Sequence, residues 1–363
     1  MSGCSVLAFI PQLALTTPQR DALVGNLVVA ALVVGIAFAI RAIRKDDIWR
    51  DAFQQVWQRR RFAVAVLGLY VFIALLDSIS WVGVLGAGSG GELEDQVAAH
   101  EARSVLDRLF TGTSEKSYSA PFARTEFYDA SDLRHPGRHP LGTNILGQDV
   151  LYMTLKGARV ALLIGGFTSL IAIPLAMFFG IGAGYFGKRI DDFVFFIMST
   201  LASMPSILLL IALIMAMGRS TVSVCVALGV TSWVSFCRLS RGETMKLREL
   251  DYVHAAKSLG VSNARIILRH IVPNLMHLVV ITFVLLFSGL VLSEAVLAWL
   301  GIGVDGSWGQ MIAQAKDELS REPPIVWNVA AAGVALFGLL LSVNLIGDAL
   351  RDVLDPRTLR ERG

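Results

Sequence analysis

The sequence predicts an all-α, polytopic helical membrane protein, and three observations carry that expectation: an apolar composition, apolar runs of membrane-crossing length, and an uneven placement of basic residues. Of 363 residues, 54% are hydrophobic and 17% charged, and the mean hydropathy is +0.61. Soluble domains carry about 25% charged residues. Runs of about 17–25 apolar residues match a hydrocarbon layer of ~30 Å, and open sheet is excluded there because a bilayer offers no water to unpaired backbone groups. A pI near 8.8 would also suit a nucleic-acid binder, but the Lys and Arg residues flank apolar runs, where they mark membrane sidedness.

The runs follow in order. Cys4 has no basic stretch and apolar core ahead of it, as a cleavable signal requires, so Cys4, Cys225 and Cys237 read as unpaired small residues. Residues 22–40 form a permanent first span, and residues 1–61 comprise that helix and a basic cytoplasmic linker. Residues 62–85 form the next span. Residues 86–159 are a polar excursion with short helices around 92–110 and a Gly-rich linker at 86–91. Residues 160–186, 193–217, 278–300 and 325–346 complete the long runs, within a transmembrane core at 160–350. The shorter 221–236 run lies between Arg219 and Arg238, and counting it gives seven spans.

Alternate short loops divide the basic residues twenty to four. Residues 41–61, 188–189, the 237–277 loop and the 351–363 tail hold the twenty; Arg20, Arg219, Lys316 and Arg321 are the four. The positive-inside rule places the 237–277 loop and the C-terminus in the cytoplasm, and the excursion and N-terminus outside.

Three motifs read as decoys. Residues 182–189 nearly spell a P-loop, but Arg189 stands where a magnesium-binding hydroxyl is needed and the segment ends a span; small residues for helix packing account for its glycines. Gly86, Gly88 and Gly91 fit GxGxxG with no βαβ unit after them. His135 and His139 flank Pro136 and Gly137, so they read as a solvated loop with no metal. No nucleophile set or paired carboxylates propose a catalytic residue.

The informative stretch is 251–274. It reads as a short helix stopped at Gly260, a new N-cap at Ser262, an amphipathic second helix and a stop at Pro273. Ala255 and Ala256 leave a small face beside His254 and Lys257, suited to a partner's groove. With Ala255, Ala256, Gly260 and Pro273 in the spacing of the Glu-Ala-Ala…Gly…Pro loop, and His254 in place of the Glu, the sequence resembles the permease subunits of binding-protein-dependent ABC importers. The His270-Ile271-Val272-Pro273-Asn274 ending resembles the dipeptide/oligopeptide branch, in its second-permease type. Leu141-Gly142-Thr143-Asn144 with Gly147, Asp149, Gly157, Ala158 and Arg159 resembles a second segment of that branch, with Asn144 and Gln148 as departures. Glu294, Leu297, Leu300, Gly301, Gly303, Ser307, Trp308, Gly309 and Met311 resemble a third, and residues 344–357 its tail.

The resemblance implies a type I permease core of six spans, to which residues 22–40 add one. It implies a second homologous permease, two ATPases carrying the ATP and Mg, an extracytoplasmic solute-binding protein, a bacterial inner-membrane location, and no cofactor on this chain. His254, Ala255, Ala256, Lys257, Gly260 and Pro273 are then the coupling residues. Glu294 reads either as an interfacial carboxylate reaching water or, with Trp308, as part of a gate or permease interface that holds the 301–308 loop. The cargo is a peptide or a related small solute. A secondary transporter or channel is the rival; it would want mid-membrane ionisable residues and inverted repeats, and Asp77 and Glu294 lie near span ends.

Overall fold

The computed structural model describes residues 47–82, 102–110, 114–129 and 131–354, with Asn26 and Arg41. The 22–40 span, Cys4, the 86–91 linker and most of the 351–363 tail lie outside the described residues. Two compact units are distinguished, Met1–Ile43 with Leu75–Gly112, and Arg44–Ala74 with Thr113–Gly363.

Helix α1 (Asp47–Ser78) is two helices joined at Arg60, whose φ of −130° and ψ of 34° are not helical. The break falls inside the Arg59–Arg61 triplet, where polar linker turns into apolar span. In the smaller unit, β1 (Ser80–Val82) pairs antiparallel with β2 (Ala102–Ser104). The strand β2 runs into α2 (Val105–Leu109), capped by a reciprocal box in which Ser104 Oγ accepts from the Asp107 N–H and the Asp107 carboxylate from the Ser104 N–H. Ser104 Oγ also donates to Asp77 Oδ1 at 2.8 Å, so the carboxylate near the end of α1 is buried and hydrogen-bonded.

In the larger unit an irregular segment, 114–149, leads to α3 (Val150–Phe186). Asp149 Oδ1 accepts from the Leu151 and Tyr152 N–H groups, so the helix starts ten residues before the expected span boundary. At 37 residues it is about 55 Å long. It packs on α6 (Thr221–Arg248) through small residues: a Cβ on Gly184 would sit 2.6 Å from the Arg241 carbonyl oxygen, and one on Gly180 would strike the Ser240 hydroxyl. Close backbone approach of this kind drives helix association in lipid. The near-P-loop segment is thus the C-terminal end of a helix.

The 193–217 run is not one straight span. It forms α4 (Lys188–Ser203) and α5 (Ser206–Met217), bent by 93°. Pro205 has no N–H to continue the ladder and forces Met204 into extended backbone, at φ −90° and ψ 138°. The short 221–236 run, by contrast, belongs to a 28-residue helix capped by Ser220. After α7 (Asp251–Ser258) and α8 (Asn263–Ile266), a π-turn at Ile267–Ile271 passes into α9 (Val272–Trp299). Then come α10 (Trp308–Leu319) and α11 (Trp327–Leu354). Among the described residues five helices have the length and apolarity to cross a membrane, and the bent α4–α5 pair makes a sixth if it is one span.

Candidate functional site

Helices α6 and α9 frame two features, one at each end. The loop between the C-terminus of α6 and the N-terminus of α9 carries α7, whose Val253 and Ala256 are buried with Ile266, Ile271 and Leu275 against Ile181 and Tyr185 of α3. The Tyr185 hydroxyl donates to Asn263 Oδ1 at 2.9 Å, and Lys257 Nζ lies 4.9 Å from the centre of the same ring. Arg248 donates to the Gly184 carbonyl at 2.9 Å. The loop is therefore seated on the end of α3.

Its other face is open. His254, Ala255, Lys257, Ser258 and Gly260 are exposed, and Leu259 is 82% exposed. The two alanines do not share a face: Ala256 turns inward and Ala255 outward. Gly260 adopts φ +74°, and its N–H donates to the Lys257 carbonyl while the Val261 N–H donates to that of Ala256; this left-handed residue closes α7 as glycine closes helices generally. Where the resemblance left no carboxylate at position 254, Glu249 supplies one, with Oε2 3.6 Å from His254 Nε2. The neighbouring Arg248 guanidinium holds the Glu249 carboxyl below its ordinary value.

Pro273 does not stop the second helix. It lies in the first turn of α9, and the helix runs on from Asn263 to Trp299. The wider π-turn accommodates the ring where an α-helical turn would clash, and Asn274 Nδ2 donates to the His270 carbonyl at 2.6 Å.

At the other end of α9, Glu294 is 4% exposed. Its Oε1 accepts from the Val304 N–H at 3.4 Å, and the Ser307 hydroxyl bonds to the same carboxylate. It does not reach water at an interface; it lies inside the chain, beneath the loop from Gly301 to Ser307. Trp308 is buried and donates from Nε1 to the Thr154 carbonyl at 2.8 Å, over the space that Gly157 leaves open and edge-on to Tyr70. It anchors α10 on the start of α3.

Two polar clusters went unread in the sequence. His139 is buried, with Nδ1 2.9 Å from Asp149 Oδ2 and Nε2 3.3 Å from Glu115 Oε1, so the solvated-loop reading of this residue is wrong. The His135 ring does not join it; its main-chain N–H donates to the same Glu115 oxygen, Oε1, and the Arg134 N–H donates to the other. Burial raises the Glu115 pKa, but N–H groups of Arg134 and His135 and the His139 ring outweigh it and leave the carboxyl below its ordinary value. Glu318, near the end of α10, is buried with Asn328 Nδ2 3.1 Å from both oxygens, and burial pushes its pKa up. The visible signal was Asp149, an N-cap residue ahead of an apolar run.

The family of binding-protein-dependent transport system inner membrane components matches residues 176–360. A putative peptide transport system permease protein of Brucella abortus is 38% identical over 231 residues, 62% of this chain and 76% of the relative. A dipeptide transport system permease protein of Alkalihalophilus pseudofirmus is 34% identical over 60% of this chain and 72% of the relative. A glutathione transport system permease protein of Pectobacterium atrosepticum is 32% identical over 66% and 80%. Among solved structures, the chain is similar to one from the MetNI methionine ABC transporter in inward-facing conformations, with a TM-score of 0.46 and 18% identity over 56% of this chain and 97% of that one.

Proposed function

We infer the role of this chain from one premise: it belongs to the family of inner membrane components of binding-protein-dependent transport systems. It is a multi-pass membrane permease, and the reading that follows is that it serves an ATP-driven importer of peptides, as the names of its relatives say of them. It forms the path across the membrane with a second permease, receives cargo from an extracytoplasmic binding protein, and leaves ATP and Mg chemistry to two ATPase partners. The chain carries no catalytic residue and no cofactor in this reading. A secondary transporter or channel is not favoured, since the family is one of binding-protein-dependent permeases.

The observation that carries the coupling role is the two-sided character of α7. One face is fixed to α3 through Val253 and Ala256, and the other presents Ala255, Leu259 and Gly260 to solvent. A largely exposed leucine on a rigidly seated, small-faced helix suits insertion into a partner's groove. Movement of that partner is then transmitted to α6 and α9, whose ends the loop joins. Rigid-body switching between outward and inward openings follows from the ATPases' preference for one arrangement.

Leu259→Asp and Ala255→Asp test this in the assembled importer. Both change exposed side chains, so insertion and permease pairing are expected to persist. ATPase retention and cargo-stimulated hydrolysis should fall about tenfold or more, as for loss of an interface anchor. Normal retention and normal coupled turnover in both variants would remove the assignment. Ala256→Asp is the weaker test because it acts inside the chain, under α7.

A further inference from the structure

The opposite ends of α6 and α9 hold a cleft of about 720 Å³, within the usual range for small-molecule sites. Its walls are the residues just before α6, the end of α9 with the following loop, and one face of α10. Arg219 stands on the first wall and Asp305 and Asp317 on the others, and Gln310, Gln314 and Trp299 also line the cleft. Among the described residues Arg219 and Asp317 make no ion pair or hydrogen bond. Asp305 is held in place: Gln310 Nε2 lies 3.4 Å from Asp305 Oδ1, and Gln310 Oε1 accepts from the Gly306 N–H at 2.7 Å. The floor is held as well, because Val304, which lines the cleft, donates its N–H to buried Glu294.

A cation and a carboxylate that are both without a partner among the described residues, lining one cavity together with Asp305, complement a molecule with separated charges of both signs. We propose that this cleft is a cargo subsite for short peptides with free termini, Arg219 receiving the carboxylate and Asp317 with Asp305 the ammonium. The proposal rests on the peptide-importer reading and adds to it a site on the permease itself. Arg219 fits the part because a guanidinium offers a planar pair of donors to a carboxylate. Gln310, Gln314 and the half-exposed Trp299 ring supply groups indifferent to side-chain identity, as passage of varied cargo requires. Binding here has to be weak, since a transport site that holds too tightly does not release. The cleft lies at one end of the helices that carry α7 at the other, so occupancy and coupling act on the same two rods.

The test uses the complete importer in proteoliposomes, with a pool of 14C-labelled di- to pentaalanine as the probe, and the permease–ATPase complex without its binding protein for equilibrium dialysis. Wild type should take up the pool, and the complex should bind trialanine better than its C-terminal amide. Arg219→Gln should weaken trialanine binding about tenfold, the loss of one charge-assisted hydrogen bond, and bind the amide as wild type does. Arg219→Lys should recover part of the loss, and Asp317→Asn should weaken trialanine but not its N-acetyl form. Basal ATP hydrolysis reports that the variants are assembled. Uptake by wild type together with unchanged trialanine binding in Arg219→Gln and Asp317→Asn would overturn the cleft and leave the peptide reading standing. No uptake of any peptide in the pool by wild type would overturn that reading, and the proposed cargo with it.

Discussion

One imidazole between two carboxylates ties the irregular 114–149 segment to α3. His139 bridges Glu115 and Asp149, and Asp149 also caps α3, so a single cluster links residues 114–135 to the start of a membrane helix. Burying these groups is tolerable only because each is satisfied. The Glu115 carboxyl is held below its ordinary value, which fixes the sign of its pH dependence. Its stabilising contribution is complete above the unfolded glutamate value, about 4.3, and is lost as pH falls through the lower folded-state value. Amide exchange at Arg134 and His135, whose N–H groups donate to Glu115, should therefore accelerate only in acid once corrected for intrinsic rates. Glu115→Gln should cost about 1–3 kcal/mol at neutral pH and flatten that dependence; an unaltered acid transition in the variant would contradict the account. Only the Asp149 cap was legible locally. The segment is polar, and a polar composition reads as solvated until long-range packing buries one histidine.

Prolines separate the elements that could be read from those that could not. Hydropathy located the apolar runs of α3, α6, α9 and α11, because burial in lipid demands apolar length whatever the partners are. It averaged across Pro205, although the residue itself was a visible break signal, and so merged α4 with α5. At Pro273 the same signal misled in the other direction, since a π-turn absorbs the ring and α9 continues. The coupling segment was legible at Gly260, which needs its positive φ, but the inward turn of Ala256 and the appearance of Glu249 beside His254 depend on how α7 sits on α3. The α9–α10 connection depends in turn on Glu294. Val304 is buried, so removing its acceptor leaves an orphan N–H. Glu294→Leu should lower stability in detergent by about 1–3 kcal/mol. Glu294→Gln keeps an acceptor oxygen and should stay within about 1 kcal/mol of wild type. Equal melting temperatures for wild type and Glu294→Leu would show that the carboxylate does not hold the loop.

At the scale of the whole molecule the basic residues and the helix ends must agree on one topology. Residues 188–189 follow α3, and the 249–262 loop follows α6; both belong to the Lys/Arg-rich set, while Arg219 before α6 belongs to the sparse one. If the 188–189 turn and the α7 loop share the cytoplasmic side, α6 crosses the membrane once and the bent α4–α5 pair must cross it once in the other direction. A pair that entered and left on the same side would carry Arg219 and the proposed cleft into the cytoplasm, away from a binding protein. On that condition the same parity would put residues 114–149 outside, the C-terminus inside and, counting residues 22–40 as a span, the N-terminus outside. Single cysteines at Ser131 and Ser258, both exposed, decide the matter on a background in which Cys4, Cys225 and Cys237 are replaced. An impermeant maleimide added to intact cells stripped of their outer barrier should label position 131 and leave position 258 unlabelled until the membrane is opened. A cysteine at Arg219 should behave like position 131. Labelling at 219 only after permeabilisation, with 131 still accessible from outside, would make α4–α5 a re-entrant pair and move the cleft to the wrong face for receiving cargo.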